Sequence, residues 1–202
     1  MSTSVNQKVV AVKLDEDYCS KCSICSSLCP FEAISKEPET GKILLNIEKC
    51  QVCGLCYSTC PAHAISSIYY DIDSLNGYLN RAKQEYKSDI LIIMCLGSAP
   101  DLTGVKKLFG VPRFIPLFVP CVGRMPEEVL LRAIAMGVSK VNVLACEEDY
   151  CRFEQGSTVT GRKIMALNFL LEQLGYGKEF ISLKRNSLKV IVDKDKCIAC
   201  AN

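Results

Sequence analysis

The sequence predicts two structural units in tandem. A small α+β unit occupies residues 1–70, a helix at 71–87 links it onward, and an α/β unit of three layers with a mainly parallel sheet occupies residues 88–195. Three observations carry this. A cysteine run is duplicated before residue 62, apolar residues switch to helical spacing from Asp71, and from Ser88 short apolar runs alternate with helical stretches. That last pattern is the one expected of parallel strands buried on both faces between helices. With 202 residues, 49% of them hydrophobic and 23% charged, the chain has an ordinary globular composition and length enough for one or two domains.

Each half of the duplication reads C-x2-C-x2-C-x3-C-P. The first holds Cys19, Cys22, Cys25, Cys29 and Pro30; the second holds Cys50, Cys53, Cys56, Cys60 and Pro61, at a constant offset of 31 residues. The flanks repeat too, Phe31-Glu-Ala-Ile34 against Ala62-His-Ala-Ile65, so the pattern is internal repetition. Three thiolates at this spacing wrap a short loop around one object and turn backbone N–H groups towards it. The fourth begins a helix leading away, where Pro suits the first position. Zinc and a disulfide framework are the alternatives. Zinc knuckles pair two C-x2-C units and need no third Cys followed by C-P, and the spacing does not read as a disulfide framework.

Over about residues 8–70 the chain resembles bacterial-type ferredoxins that hold two 4Fe-4S clusters, with every ligand position filled. The resemblance implies a ferredoxin-like α+β fold with crossed ligation. One cluster falls to Cys19, Cys22, Cys25 and Cys60, the other to Cys50, Cys53, Cys56 and Cys29. Residues 8–14 and 42–48 are then the opening strands of the two halves, with the turn-rich loop 36–41 between them. His63 is read as a surface residue.

Composition narrows the function further. A net charge of +2 gives no bulk attraction to nucleic acid or membrane. Fourteen cysteines accompany an N-terminus without the apolar stretch of a signal peptide, and no apolar run approaches a membrane span. The expectation is a cytoplasmic chain whose thiols stay reduced and serve as metal ligands. One His and no Trp leave almost nothing for a histidine-based active site.

In the linker, Ile72, Leu75, Leu79, Ala82 and Tyr86 fall at helical spacing behind Asp71 and Asp73. The second unit opens with the strand Asp89–Cys95, then a helical piece near 101–109. Phe114–Val119 is a second strand, its Pro116 suggesting an edge or a bulge. A helix from Pro126 to Gly137 carries acids in its first turn. Lys140–Ala145 is a third strand and Arg162–Leu174 a third helix. Phe180–Leu183 and Leu188–Val192 read as final strands around a turn at Arg185–Ser187.

This register puts Cys95, Cys121 and Cys146 at the carboxyl ends of successive strands, with Cys151 in the loop beyond. Ligands of open α/β sheets sit at that edge, so four thiols there can share one metal centre. The helix starting near Pro126 should aim its positive end at them, and Arg124 should offset the charge of a cluster. Buried structural cysteines are the plain alternative. Residues 88–180 resemble the iron–sulfur delta subunit of methyl-viologen-reducing hydrogenases, through Val119-Pro-Cys121-Val-Gly-Arg124, Val143-Leu-Ala-Cys146 and Cys151-Arg-Phe-Glu-Gln-Gly156. That family has a P-C-x-G-R turn, a strand ending in G-C and a C-H-Y-x-x-G-N loop. This chain departs in having Cys95-Leu-Gly-Ser98 where the family often has C-x-x-C, Ala145 before Cys146, and Arg152 after Cys151.

The resemblance implies a 2Fe-2S cluster on Cys95, Cys121, Cys146 and Cys151, and an electron-transfer subunit without substrate chemistry of its own. It would relay electrons through three centres between partner subunits of a heterodisulfide-reductase or hydrogenase complex, the partners being flavin-containing or disulfide-reducing subunits or a hydrogenase. No nucleic acid and no direct membrane insertion are expected. Two other readings are a thiol–disulfide oxidoreductase using Cys146 and Cys151 directly, with Arg152 beside them, and an interaction module whose metals only hold the fold. The tail 196–202, with Cys197 and Cys200, reads as an unmetallated end. A shortened third cysteine motif, or ligands shared with a partner or elsewhere in the chain, is the alternative.

Overall fold

The repeat in the sequence is also a repeat of the backbone. The computed structural model describes residues 12–67, 70–99 and 101–186. In its first unit, strand β1 (Val12–Leu14), helix α1 (Ile24–Ser27) and strand β2 (Ile34–Lys36) recur 31 residues on as β3 (Ile43–Leu45), α2 (Leu55–Thr59) and β4 (Ile65–Ser67). The halves exchange strands: β1 pairs antiparallel with β4 and β2 with β3, in the same register, Leu14 opposite Ile65 and Ile34 opposite Leu45. Val12, Ile34, Ile43 and Ile65 form the small apolar core between them, and cysteines pack against it. This is the α+β fold expected.

The second unit is a four-stranded sheet of order β6-β5-β7-β8, parallel throughout. Its strands are β5 (Ile90–Cys95), β6 (Ile115–Val119), β7 (Lys140–Ala145) and β8 (Ile181–Arg185). Four helices cover it: α3 (Ile72–Tyr86), α4 (Leu102–Phe109), α5 (Glu127–Ala135) and α6 (Gly156–Gln173). Alternation along β5 explains the three layers. Leu91, Ile93 and Cys95 face a core shared with α3, α5 and α6, while Ile92 and Met94 face a second core with Val105 of α4 and Phe114. All five are at most 5% exposed, which is why β5 reads as an unbroken apolar run. Pro116 lies on β6, at the edge of the sheet, where a missing N–H is tolerated; the Tyr78 hydroxyl of α3 donates to its carbonyl.

Some expectations need correction. Helix α6 starts at Gly156, six residues before the expected Arg162, because Gly156-Ser-Thr is poor helix-forming sequence that hides the first turn. The sequence-predicted strand ending at Leu183 continues to Arg185, which pairs with Ala145. Helix α3 contributes Leu75, Leu79 and Ala82 to the core on the sheet, so it is a layer of the second unit as well as a link. The proposed strand Leu188–Val192 and Cys197 and Cys200 lie outside the described residues. No described helix is long and apolar enough to cross a membrane.

Candidate metal centres

Two hollows in the first unit are each lined by four cysteines. Cys19, Cys22, Cys25 and Cys60 surround one, with Leu14, Ile24 and Ile43. Cys29, Cys50, Cys53 and Cys56 surround the other, with Val12, Phe31 and Leu55. Each quartet takes its fourth member from the other half of the repeat. The loops achieve this with residues in the left-handed region at matching positions: Lys21 and Val52 (φ 55° each), Ser23 and Gly54 (68° and 79°), Glu32 and His63 (48° and 50°). A β-branched residue such as Val52 adopts that region at a cost. The return is a loop whose amides point inward: the Ile24 N–H reaches Cys22, Ser26 reaches Cys25, Leu55 reaches Cys53 and Tyr57 reaches Cys56. At the fourth position the Ala33 N–H donates to Cys29 Sγ at 3.3 Å.

The thiols resist ionising on their own. Burial pushes the Cys56 thiol up to about 12, with Cys53 and Cys50 adding repulsion. Cys25 and Cys53 are raised by burial first and by neighbouring thiols after it. Cys22, which is exposed, is instead lowered by the Ile24 amide. Groups that oppose one another's ionisation are deprotonated together only by a cationic partner. Among the described residues no three Cys, His, Asp or Glu side chains close on a point that one metal ion could fill. The quartets ring a volume, and an iron–sulfur cube fits a ring of thiols with inward N–H donors.

The remaining described cysteines gather at the carboxyl edge of the parallel sheet. Cys95 ends β5, Cys121 follows β6, Cys146 follows β7, and Cys151 lies past a short turn at Glu148–Tyr150. They form two close pairs. The Cys146 thiol donates to Cys95 Sγ at 3.3 Å, and Cys121 hydrogen-bonds Cys151. Each pair feels the other electrostatically, Cys151 acting on Cys95 and Cys146, and Cys95 on Cys121. The accepting members are favoured as thiolates: the Cys146 hydrogen bond lowers Cys95, and that of Cys121 lowers Cys151 to about 5. The donors Cys146 and Cys121 are raised by the same bonds and by burial.

Glycines let the backbone close over these sulfurs. A β-carbon at Gly156 would lie 2.3 Å from Cys121 Sγ, and one at Gly97 would lie 3.3 Å from Cys146 Sγ. Amides of Phe153, Gly156 and Ser157 reach Cys151. The helix whose first turn faces the thiols is therefore α6, and the expectation for α5 is corrected. Pro126, Glu127 and Glu128 at the start of α5 instead line a cleft with Tyr57, Ser58 and Cys60 of the first unit. Arg152 stacks on Phe153, Cζ 5.5 Å from the ring centre.

Arg124 is 1% exposed and lies between the units. One guanidinium nitrogen donates to Ser67 Oγ at 3.1 Å and Cζ sits 4.6 Å over the Tyr70 ring. Its stem presses on Gly54, the residue after Cys53, where a β-carbon would stand 2.7 Å from Arg124 Cβ. Burial lowers its pKa, while Tyr70, Cys121 and Cys53 pull it back up. Around it the seam is apolar and tightly packed. Cys53, Leu55, Cys121, Phe153 and Val159 form one apolar cluster, and Phe31 meets Phe153 edge to face at 5.9 Å. Two further contacts were not anticipated. Ser58 Oγ donates to the Gly123 carbonyl at 2.6 Å, and the buried Lys163 Nζ donates to the Ser58 carbonyl at 2.7 Å. A lysine inside the apolar stripe of Val159, Ile164 and Leu167 was the available signal for the second; nothing marked Ser58.

Comparison with known proteins agrees with this division. Residues 81–193 match the family described as methyl-viologen-reducing hydrogenase, delta subunit, and residues 11–61 match a 4Fe-4S dicluster domain. Relatives include an iron–sulfur subunit of the F420-non-reducing hydrogenase of Archaeoglobus profundus, 28% identical over 104 residues, 50% of this chain and 76% of that protein. An iron–sulfur subunit of the vhu F420-non-reducing hydrogenase of Methanopyrus kandleri is 35% identical over 85 residues, 42% of this chain and 64% of that protein. The corresponding Methanococcus voltae protein is 26% identical over 89 residues, 44% of this chain and 66% of its own length. The chain thus covers slightly less than two thirds of the last two.

Proposed function

The chain belongs to the methyl-viologen-reducing hydrogenase delta-subunit family through residues 81–193 and carries a 4Fe-4S dicluster domain ahead of them; on that premise we propose that it is an electron-relay subunit. It would pass electrons through two 4Fe-4S clusters and a 2Fe-2S cluster between redox partners of a hydrogenase or heterodisulfide-reductase-like complex. Clusters held in these sites would supply one-electron carriers; the chain supplies their positions and surroundings. Cys19, Cys22, Cys25 and Cys60 would hold the first, Cys50, Cys53, Cys56 and Cys29 the second, and Cys95, Cys121, Cys146 and Cys151 the third.

The observation that carries the third assignment is the pairing of its thiols. A tetrahedral metal with metal–sulfur bonds of about 2.3 Å brings two thiolates to within roughly 3.8 Å of each other. A two-iron cluster needs two such pairs side by side, and Cys95 with Cys146 and Cys121 with Cys151 supply two. Inward amides would stabilise the added negative charge on reduction. The apolar cluster that joins Cys53 to Cys121 would lie between the second and third sites.

The low value of Cys151 also supports a second reading, a nucleophilic thiolate that reduces disulfides directly. The Cys146 and Cys151 pair first considered for it is not the close one, since each thiol is bonded to a different partner. Anaerobic iron and sulfide analysis with EPR of the reduced protein separates the readings. The relay requires about ten irons per chain and protection of all four sheet-edge thiols from alkylation. About eight irons, with those four thiols alkylated, would remove the third centre and leave the dithiol reading.

A further inference from the structure

Arg124 stands where a thiol of each unit, Cys53 and Cys121, joins one apolar cluster. Its own turn carries Cys121, three residues before it, and its stem is packed on Gly54, the residue after Cys53. Both Cys121 and Cys53 act on the guanidinium electrostatically. The charge is fixed in place by the bond to Ser67 Oγ and the stack on Tyr70, and it is almost wholly removed from water. Resting on the relay reading above, we infer that Arg124 is a positioning charge shared by the second 4Fe-4S site and the sheet-edge site, holding both reduction potentials up and tying them together.

The physical case is one of geometry and dielectric. Each centre gains one negative charge on reduction, and a buried cation near both stabilises the reduced form of each far more than it could through water. The left-handed Gly54, φ 79°, is required for the approach, since any side chain there would collide with Arg124. The closeness is therefore built into both halves: a glycine on one side, and on the other a short 3-10 turn, Val122–Arg124, that puts the arginine back across the seam. At the first site the cation acting on Cys22 is Lys36, at the exposed end.

The test is a redox titration followed by EPR on the wild-type chain and on Arg124→Met, Arg124→Gln and Arg124→Lys, each first assayed for iron and sulfide. In whichever neutral variant keeps its full iron content, the second 4Fe-4S centre and the two-iron centre are both expected to become harder to reduce. The shift should be tenfold or more in the reduction equilibrium, which is 59 mV for a one-electron couple. The first centre should stay within a small fraction of that. Arg124→Lys, which keeps the charge, should recover most of the shift in both. A shift confined to one centre, or none, overturns the proposal. So does a fully metallated Arg124→Lys that behaves like the neutral variants, since shape and not charge would then be the cause. Failure of both neutral variants to hold the second and third centres, with the first retained and Arg124→Lys normal, would still assign the charge to those two sites. A wild-type chain that binds only eight irons defeats the relay reading itself and is seen before any variant is compared.

Discussion

Gly156→Ala puts the shared-centre assignment at the sheet edge to its hardest test. A β-carbon at that position would stand 2.3 Å from Cys121 Sγ and 3.4 Å from Cys151 Sγ. Carbon and sulfur in contact need roughly 3.5–4 Å, so the new methyl overlaps Cys121 by an ångström or more. Little nearby can yield. Gly123 already packs on the Gly156 backbone, where its own β-carbon would come within 2.9 Å of Gly156 Cα. Cys121 is held by the tight turn in which the Arg124 N–H bonds its carbonyl. Overpacking of this kind costs about 1–3 kcal/mol, while alanine gains about 1 kcal/mol in helix propensity over glycine. The net loss of fold stability is then small, and the damage falls on the position of one sulfur. The variant is expected to fold, to bind about eight irons in place of about ten, and to lose the two-iron EPR signal while keeping both four-iron signals. A well-folded Gly156→Ala with undiminished iron and an unchanged two-iron signal would refute the claim that Cys121 shares a centre at this edge.

Three more outcomes follow from the same structure. Gly77→Ala, in the middle of α3 with nothing within 4 Å of the added carbon, should stabilise the chain by about 0.5–1 kcal/mol; thermal unfolding should show the gain with iron content unchanged. Asp71 caps α3, accepting from the Ser74 N–H at 2.9 Å and its hydroxyl at 2.7 Å, so Asp71→Ala should cost about 1 kcal/mol. Those bonds hold its carboxyl below the usual 3.8; the cap's stabilisation is complete above that pH and fades as pH falls through the lower folded-state value, so wild type and variant should converge in strong acid. Cys29→Ser and Cys60→Ser test the crossed ligation: EPR should show Cys29→Ser perturbing the centre of Cys50, Cys53 and Cys56, and Cys60→Ser that of Cys19, Cys22 and Cys25. Perturbation within each variant's own sequence motif would disprove the crossing.

What could be read from the sequence was whatever is written locally. The 31-residue repeat specified the strands and the cysteine loops, because each lies within a dozen residues of its motif, whereas the crossing of the fourth cysteine into the other half is not local and was implied by the resemblance. The apolar run of β5 and the proline of β6 announced a buried strand and an edge. Contacts between the units left little local trace. Arg124 was placed against the sheet-edge thiols because Cys121 is near it in sequence, but its reach across to Gly54 and Ser67 depends on how the units dock. The start of α6 was missed because glycine, serine and threonine are there for close approach to sulfur and for bonds such as Ser157 Oγ to the Cys146 carbonyl, at the expense of helix propensity. Sites of that kind are where local signals and tertiary needs part company.

The docking has a consequence for the proposed relay. Electron exchange over a fixed gap requires units that do not swing apart, and interfaces between domains of one chain are mobile unless they are apolar and locked. Here the lock is polar and buried. Lys163, its side chain 9% exposed, donates from Nζ to the Ser58 carbonyl at 2.7 Å and the Met125 carbonyl at 3.3 Å, with Glu127 at 3.6 Å. Ser58 in turn reaches the Gly123 carbonyl, two residues from Cys121. Ser58 lies on α2, between Cys56 and Cys60, so one bonded path connects members of both first-unit cysteine quartets to the turn that carries Cys121. Removing the lysine would take a charged donor from both carbonyls, a loss of about 1.5–3 kcal/mol for each hydrogen bond. The seam is therefore held by bonds whose loss is costly, and the fold itself sets the spacing of the turns that carry Cys53 and Cys121.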